Sequence, residues 1–149
     1  MPIPSSGSLS TLMDNLVALE QQVKAEPGCN KIRVYRWQPN VPELPALWNA
    51  LGPSPLEQKD SSTWRDTIQI LVRLGIALTD TDEQMAKLER YTDAVRDVID
   101  THLAQPGANL GVRLVKRTGM RPLPMVFNEI RVQGFEFLLQ CELDRNLRS

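Results

Sequence analysis

The chain has 149 residues, 17 basic and 18 acidic, with a net charge of −1 and two cysteines. That length suits one domain with a core that needs neither metal nor disulfide. The near-balanced charge argues against a strongly basic nucleic-acid binder, and no apolar run approaches the roughly 20 residues that span a bilayer. No membrane partner is therefore expected. The opening, Met1 to Ser8, lacks the basic and apolar regions of a secretory signal, which points to folding in a cytoplasm. In that compartment Cys29 and Cys141 are expected as unlinked thiols.

Residues 1–8, with Pro2, Pro4 and Gly7, read as a flexible arm. From Leu9 to Val23 the residues Leu9, Leu12, Met13, Leu16, Leu19, Glu20 and Val23 keep a helical stripe, with Ser8 as cap and Pro27-Gly28 as stop. Lys31 to Trp37 alternates as a short strand. Residues 38–63 hold five of the eleven prolines and read as a long loop, in which only Leu44 to Leu51 has the makings of a short helix. Trp37, Trp48 and Trp64 gather at this segment. The domain core is the expected home of Trp37 and Trp64, while for Trp48 core and partner surface stand level.

The organising stretch is Trp64 to Leu103. Ile68, Ile70, Val72, Leu74, Ile76 and Leu78 recur at every second position, so they share one face of a strand. Gln69, Leu71, Arg73, Gly75 and Ala77 form a mixed second face. After an aspartate turn, Met85, Leu88, Thr92, Val95, Ile99 and Leu103 follow at helical spacing. Asp80 or Thr81 is the expected cap, and Asp82 and Glu83 suit the positive helix start. Val112 to Arg117 reads as a strand, Thr118 to Pro124 as a loop, and Val126 to Leu143 as a long strand. The apolar phase of that last strand flips at Gly134, as a β-bulge would make it do. Asp144 to Ser149 reads as a loose tail. The result is an α+β domain over residues 9–145. It has one largely antiparallel, mixed, four-stranded sheet with two helices on one face. Leu71, Ala77 and Leu138 on the other face suggest that this side meets something, most simply another copy.

Chemistry is hard to place on this chain. His102 stands near the end of a helix, where its charge suits the local dipole. A pairing with Cys141 is disfavoured because that cysteine falls on an apolar strand. There is no nucleophile elbow, phosphate loop or metal-spaced Cys/His set. Asp80, Asp82 and Glu83 fit capping better than a divalent ion. No catalytic residue, cofactor or metal is therefore assigned. Arg113, Lys116, Arg117 and Arg121 form a modest basic patch without interleaved aromatics. Residues 79–103 carry seven acids against three bases, and residues 104–149 four against seven. That division suits copies docking head to tail, and equally a solvated surface.

The order of elements has a recognisable cast. The Arg33-Val34-Tyr35 strand leads into a Pro-rich loop, and the Trp64-to-Leu78 strand passes through an aspartate turn into the helix. Gly134-Phe135-Glu136-Phe137 lies near the end. Together these resemble the tail terminator proteins of long, non-contractile-tailed bacteriophages, over roughly residues 9 to 145. The resemblance implies a homo-oligomeric, hexameric ring at the head-proximal end of the virion tail, assembled in the host cytoplasm. Such a ring stops polymerisation of the tail tube protein and meets the head-to-tail connector, with DNA passing through its lumen unread. Candidate interface residues are Trp48, Leu71, Arg73, Arg117 and Arg121. A neck or head-completion protein of the same virion, and a small nucleic-acid-binding adaptor, are the other readings.

Overall fold

The computed structural model describes residues 8–52, 56–58, 63–77, 82–127 and 129–146. The Pro-rich start, the aspartate turn before the long helix and residues 147–149 lie outside them. Helix α1 spans Leu9–Gln21 and continues as a 3-10 turn over Gln22–Ala25. Ser8 caps α1 as expected, its Oγ accepting from the Thr11 N–H at 3.1 Å; it belongs to the helix start and not to an arm. The strands are β1 (Arg33–Val34), β2 (Ala46–Leu51), β3 (Leu56–Gln58), β4 (Thr63–Ala77), β5 (Leu114–Phe127) and β6 (Ile130–Asn146), with α2 (Asp82–Leu103) between β4 and β5.

The architecture is α+β, with two helices and one mixed sheet in the order β1-β2-β4-β6-β5. The β1–β2 pair is parallel and the rest antiparallel; β3 adds to β4 beside this path. Four strands were expected, and the extra ones come from the Pro-rich segment. Leu44 to Leu51 is not a helix: Ala46 to Leu51 forms β2 against Gly75 to Ile70. Ala46, Leu47, Trp48 and Asn49 are all buried, so both faces of β2 are covered. A short apolar run of that kind reads alike as helix or strand until its neighbours are known.

Two further corrections concern the last hairpin. Thr118 to Pro124 is not a loop, because β5 runs through it with one register shift between Arg117 and Gly119. Pro122 and Pro124 sit on an edge strand at positions of equal parity, so their missing N–H groups point away from β6 and leave the ladder intact. The chain reverses instead between Phe127 and Ile130, where Glu129 takes a left-handed conformation (φ 68°). There is also no bulge at Gly134, where pairing with Gly75 and Leu123 is continuous. The apolar phase flips because the buried face changes. Phe137, Leu139, Cys141 and Leu143 point to the helices, whereas Val132 points to a second cluster on the opposite face. Gly134 is needed for closeness, since a Cβ there would stand 1.7 Å from the Leu74 carbonyl oxygen.

The main core joins both helices to one sheet face. Leu12, Met13, Leu16 and Leu19 of α1 and Leu88, Val95 and Ile99 of α2 meet Ile70, Val72, Leu74 and Ile76 of β4. On the opposite face Trp48 packs with Ala46, Leu123, Phe127 and Val132. Its ring lies over Gly75, where an added Cβ would come within 2.9 Å of it. Phe127 meets Trp48 edge to face with centroids 5.7 Å apart. In the sheet, β2 and β5 stand three strand spacings apart, about 14 Å. The tip of the β5–β6 hairpin therefore coils over the sheet to cover the tryptophan. Asp144 to Asn146 pair with Arg65 to Thr63, so the strand continues into what reads as a loose tail.

Candidate protein–protein interface

The residues singled out from sequence lie mostly along one row across the face turned away from the helices. Trp48, Arg73, Glu136 and Arg121 are successive register partners on β2, β4, β6 and β5. Arg73 Nε donates to Glu136 Oε2 at 2.9 Å, and Arg121 Nε donates to Glu136 Oε1. Gln38 Oε1 lies 3.5 Å from Arg73 Nη1. Burial pushes the Glu136 carboxyl upward, but the hydrogen bonds and charges of Arg73 and Arg121 outweigh it and hold the group below the usual carboxylate range. The arrangement is one buried carboxylate held by two guanidiniums.

The remaining candidates also have partners inside the chain. Trp48 is fully buried, which places it in the domain core. Leu71 is buried between Ala50 and Leu138 in the sheet register. Arg117 points to the helix side, where Nε and Nη2 grip Asp100 of α2 at 2.7 and 2.8 Å. That bidentate bond raises the already high Arg117 pKa further. The basic patch is therefore strung along a strand and split between two faces. Arg121 alone of the five keeps a largely exposed side chain. Trp37, expected in the core, is 39% exposed; β1 ends at Val34 and leaves it on the loop beyond. The Trp64 side chain lies outside the described residues.

Sequence reasoning missed two features. The first is a groove of about 400 Å³ between α2 and the hairpin, lined by Met85, Leu88, Thr92, Met120 and Phe135 with Glu89 on its rim. Met85 and Met120 are exposed, although Met85 begins the apolar stripe of the helix. The second is the hairpin tip, where Val126 is 64% and Ile130 47% exposed. The signal for either is slight: periodicity credits Met85 and Val126 to the core, and Met120 falls in a stretch that reads as a loop.

Neither cysteine is poised for chemistry. Burial pushes the Cys141 thiol up to about 12 and also raises Cys29, where the Glu26 charge adds to it. Among the described residues no group of three His, Cys, Asp or Glu is placed to hold a metal ion, and no helix is long and apolar enough to cross a membrane. His102 borders a shallow cavity of about 350 Å³ with Asn15 and Asn109. No known protein family matches the chain, and a search of curated proteins finds no match to it.

Proposed function

We propose that this protein is a structural subunit of a bacteriophage tail. It assembles as a ring on the end of the tail tube, ends tube growth and joins the tail to the head connector. The reading draws first on the resemblance of the sequence to tail terminators over roughly residues 9 to 145. The observation that carries it is the apolar surface left at the end of the hairpin and beside α2, which suits a subunit whose surfaces are completed by neighbours. The work is mechanical in this reading, and the β5–β6 hairpin tip and the α2 face supply contacts.

A phage carrying a deletion of this reading frame tests it. The expected outcome is tails of irregular, excess length that remain detached from filled heads, restored by supplying the protein from a plasmid. Normal-length tails attached to heads in the deletion overturn the proposal. Tails of normal length that fail to join point to a neck protein instead.

A further inference from the structure

The hairpin tip and the α2 groove complement one another, and they cannot meet within one chain. Phe135 and Gln133 form part of the groove's wall, and Arg131 and Val126 lie further along the same two strands on the same side. Among the described residues β4 pairs with β6 as far as Val132, and Val126 and Arg131, one step nearer the turn, are both exposed. A paired hairpin cannot double back onto the groove at its own root. Its other side is already committed, because Phe127 and Val132 cover Trp48.

The exposed side of the tip presents an apolar knob, Val126, beside a cation, Arg131, directly across the ladder. Pro124 flanks them. The groove presents the reverse: an apolar floor of Met85, Leu88, Met120 and Phe135, with Glu89 and Asp93 along the helix rim. Asp93 is shared with Arg96 at 3.0 Å, whereas Glu89 has no ion pair among the described residues.

We infer that the groove between α2 and the β5–β6 hairpin receives the hairpin tip of a second copy. Val126 enters between Met85 and Met120, and Arg131 reaches Glu89. The inference rests on the self-associating part of the proposed function and not on the viral assignment. Knob and groove are different surfaces of one chain, so a contact that is not a reciprocal exchange between two copies is head to tail. It closes into a ring or runs on as a filament. The pairing of acidic helix with basic hairpin follows the division of charge along the chain.

The test uses the whole chain and two independent readings. Val126→Cys with Met85→Cys, both at exposed positions, should form a disulfide-linked ladder of oligomers under mild oxidation, while each single variant should not. Disulfide formation needs Cα atoms within about 7 Å, so a ladder reports the specific contact. In sedimentation, Arg131→Glu should weaken self-association roughly hundredfold with the melting temperature unchanged, and adding Glu89→Arg should restore it. Three results overturn the inference. In the first, the wild-type protein stays monomeric at every accessible concentration. In the second, it forms an oligomer that neither cross-links nor responds to the charge swap. In the third, assembly ignores Val126→Asp but is lost on removing residues 1–7, which would put the chain's own start in the groove. In the last two the tail-length experiment still stands on its own, so failure here is separable from failure of the proposed function.

Discussion

Replacing Glu20 by Gln should stabilise this protein at neutral pH and leave it nearly unchanged in acid. Glu20 is on α1 and fully buried against β2, where Asn49 Nδ2 donates to its Oε1 at 2.9 Å. Among the described residues neither its Oε2 nor Asn49 Oδ1 has a partner. Burial without an opposing charge raises the carboxyl from the ordinary 4.5 to about 8, only partly offset by the bond from Asn49. The side chain is therefore a neutral acid at pH 7, with Oε2 as an O–H donor beside a residue that has an acceptor to spare.

The sign follows from proton counting. Between pH 4.5 and about 8 the folded protein keeps a proton on Glu20 that the unfolded chain has released. Stability contributed by this group is complete below pH 4.5 and falls as pH rises through that window. At ~1.4 kcal/mol per pH unit, about 3.5 units give a loss of at most about 5 kcal/mol. A glutamine keeps the acceptor and offers an N–H donor in place of the acid proton, without a titration. The difference in unfolding free energy between Glu20→Gln and wild type should be near zero at pH 4.5 and grow steadily to pH 8. Near pH 8 the variant should melt roughly 10–20 °C higher. Urea denaturation at half-unit steps of pH gives the curve. A difference that does not change with pH, or that favours wild type at pH 8, refutes the reasoning.

Other outcomes follow from the same packing. Gly134→Ala should prevent folding or cost more than Gly75→Ala in thermal melts, because the first methyl meets backbone at 1.7 Å and the second meets side chains of Val132 and Trp48 that can shift. Glu136→Gln should lose stability above pH 4.5 and narrow its deficit as pH falls, since the carboxylate that Arg73 and Arg121 hold is depressed and its contribution disappears on protonation. Phe127→Ala should cost about 3 kcal/mol and raise the solvent exposure of Trp48 in fluorescence quenching. At pH 8 a thiol reagent should leave Cys29 and Cys141 unmodified in the native protein and modify both in urea.

The long regular elements were legible because each carries one dominant period. Ile70 to Ile76 alternate and are buried together with Ile68 partly buried beside them, and Leu88, Thr92, Val95 and Ile99 recur helically and are buried together. The Pro-rich segment was not legible, because β2 is buried on both faces and so has no alternation to display. The hairpin misled for a related reason. At Gly134 the apolar residues change from the outer to the helix-facing side, and a strand with one buried face would need a bulge to do that. Two apolar clusters on opposite faces of the sheet remove the need.

The candidate site was the hardest part to read, and the reason is physical. A charged residue in a sequence looks available until its partner is known, and those partners are far along the chain. Arg73 reaches Glu136 sixty-three positions away, and Arg117 turns inward to Asp100. Apolar residues within a periodic stretch carry the opposite bias, because periodicity credits them to the core, and Met120 is hidden in a stretch that reads as a loop. Met85 continues the stripe of α2, and Met120 stands on the helix side of β5, yet both emerge beside open space because the helix does not cover that part of the hairpin. Availability is thus inverted in this fold. Most of the arginines picked out for contact are spent on holding the sheet and helix together. Met85, Met120 and Val126 are instead among the apolar side chains that stay exposed.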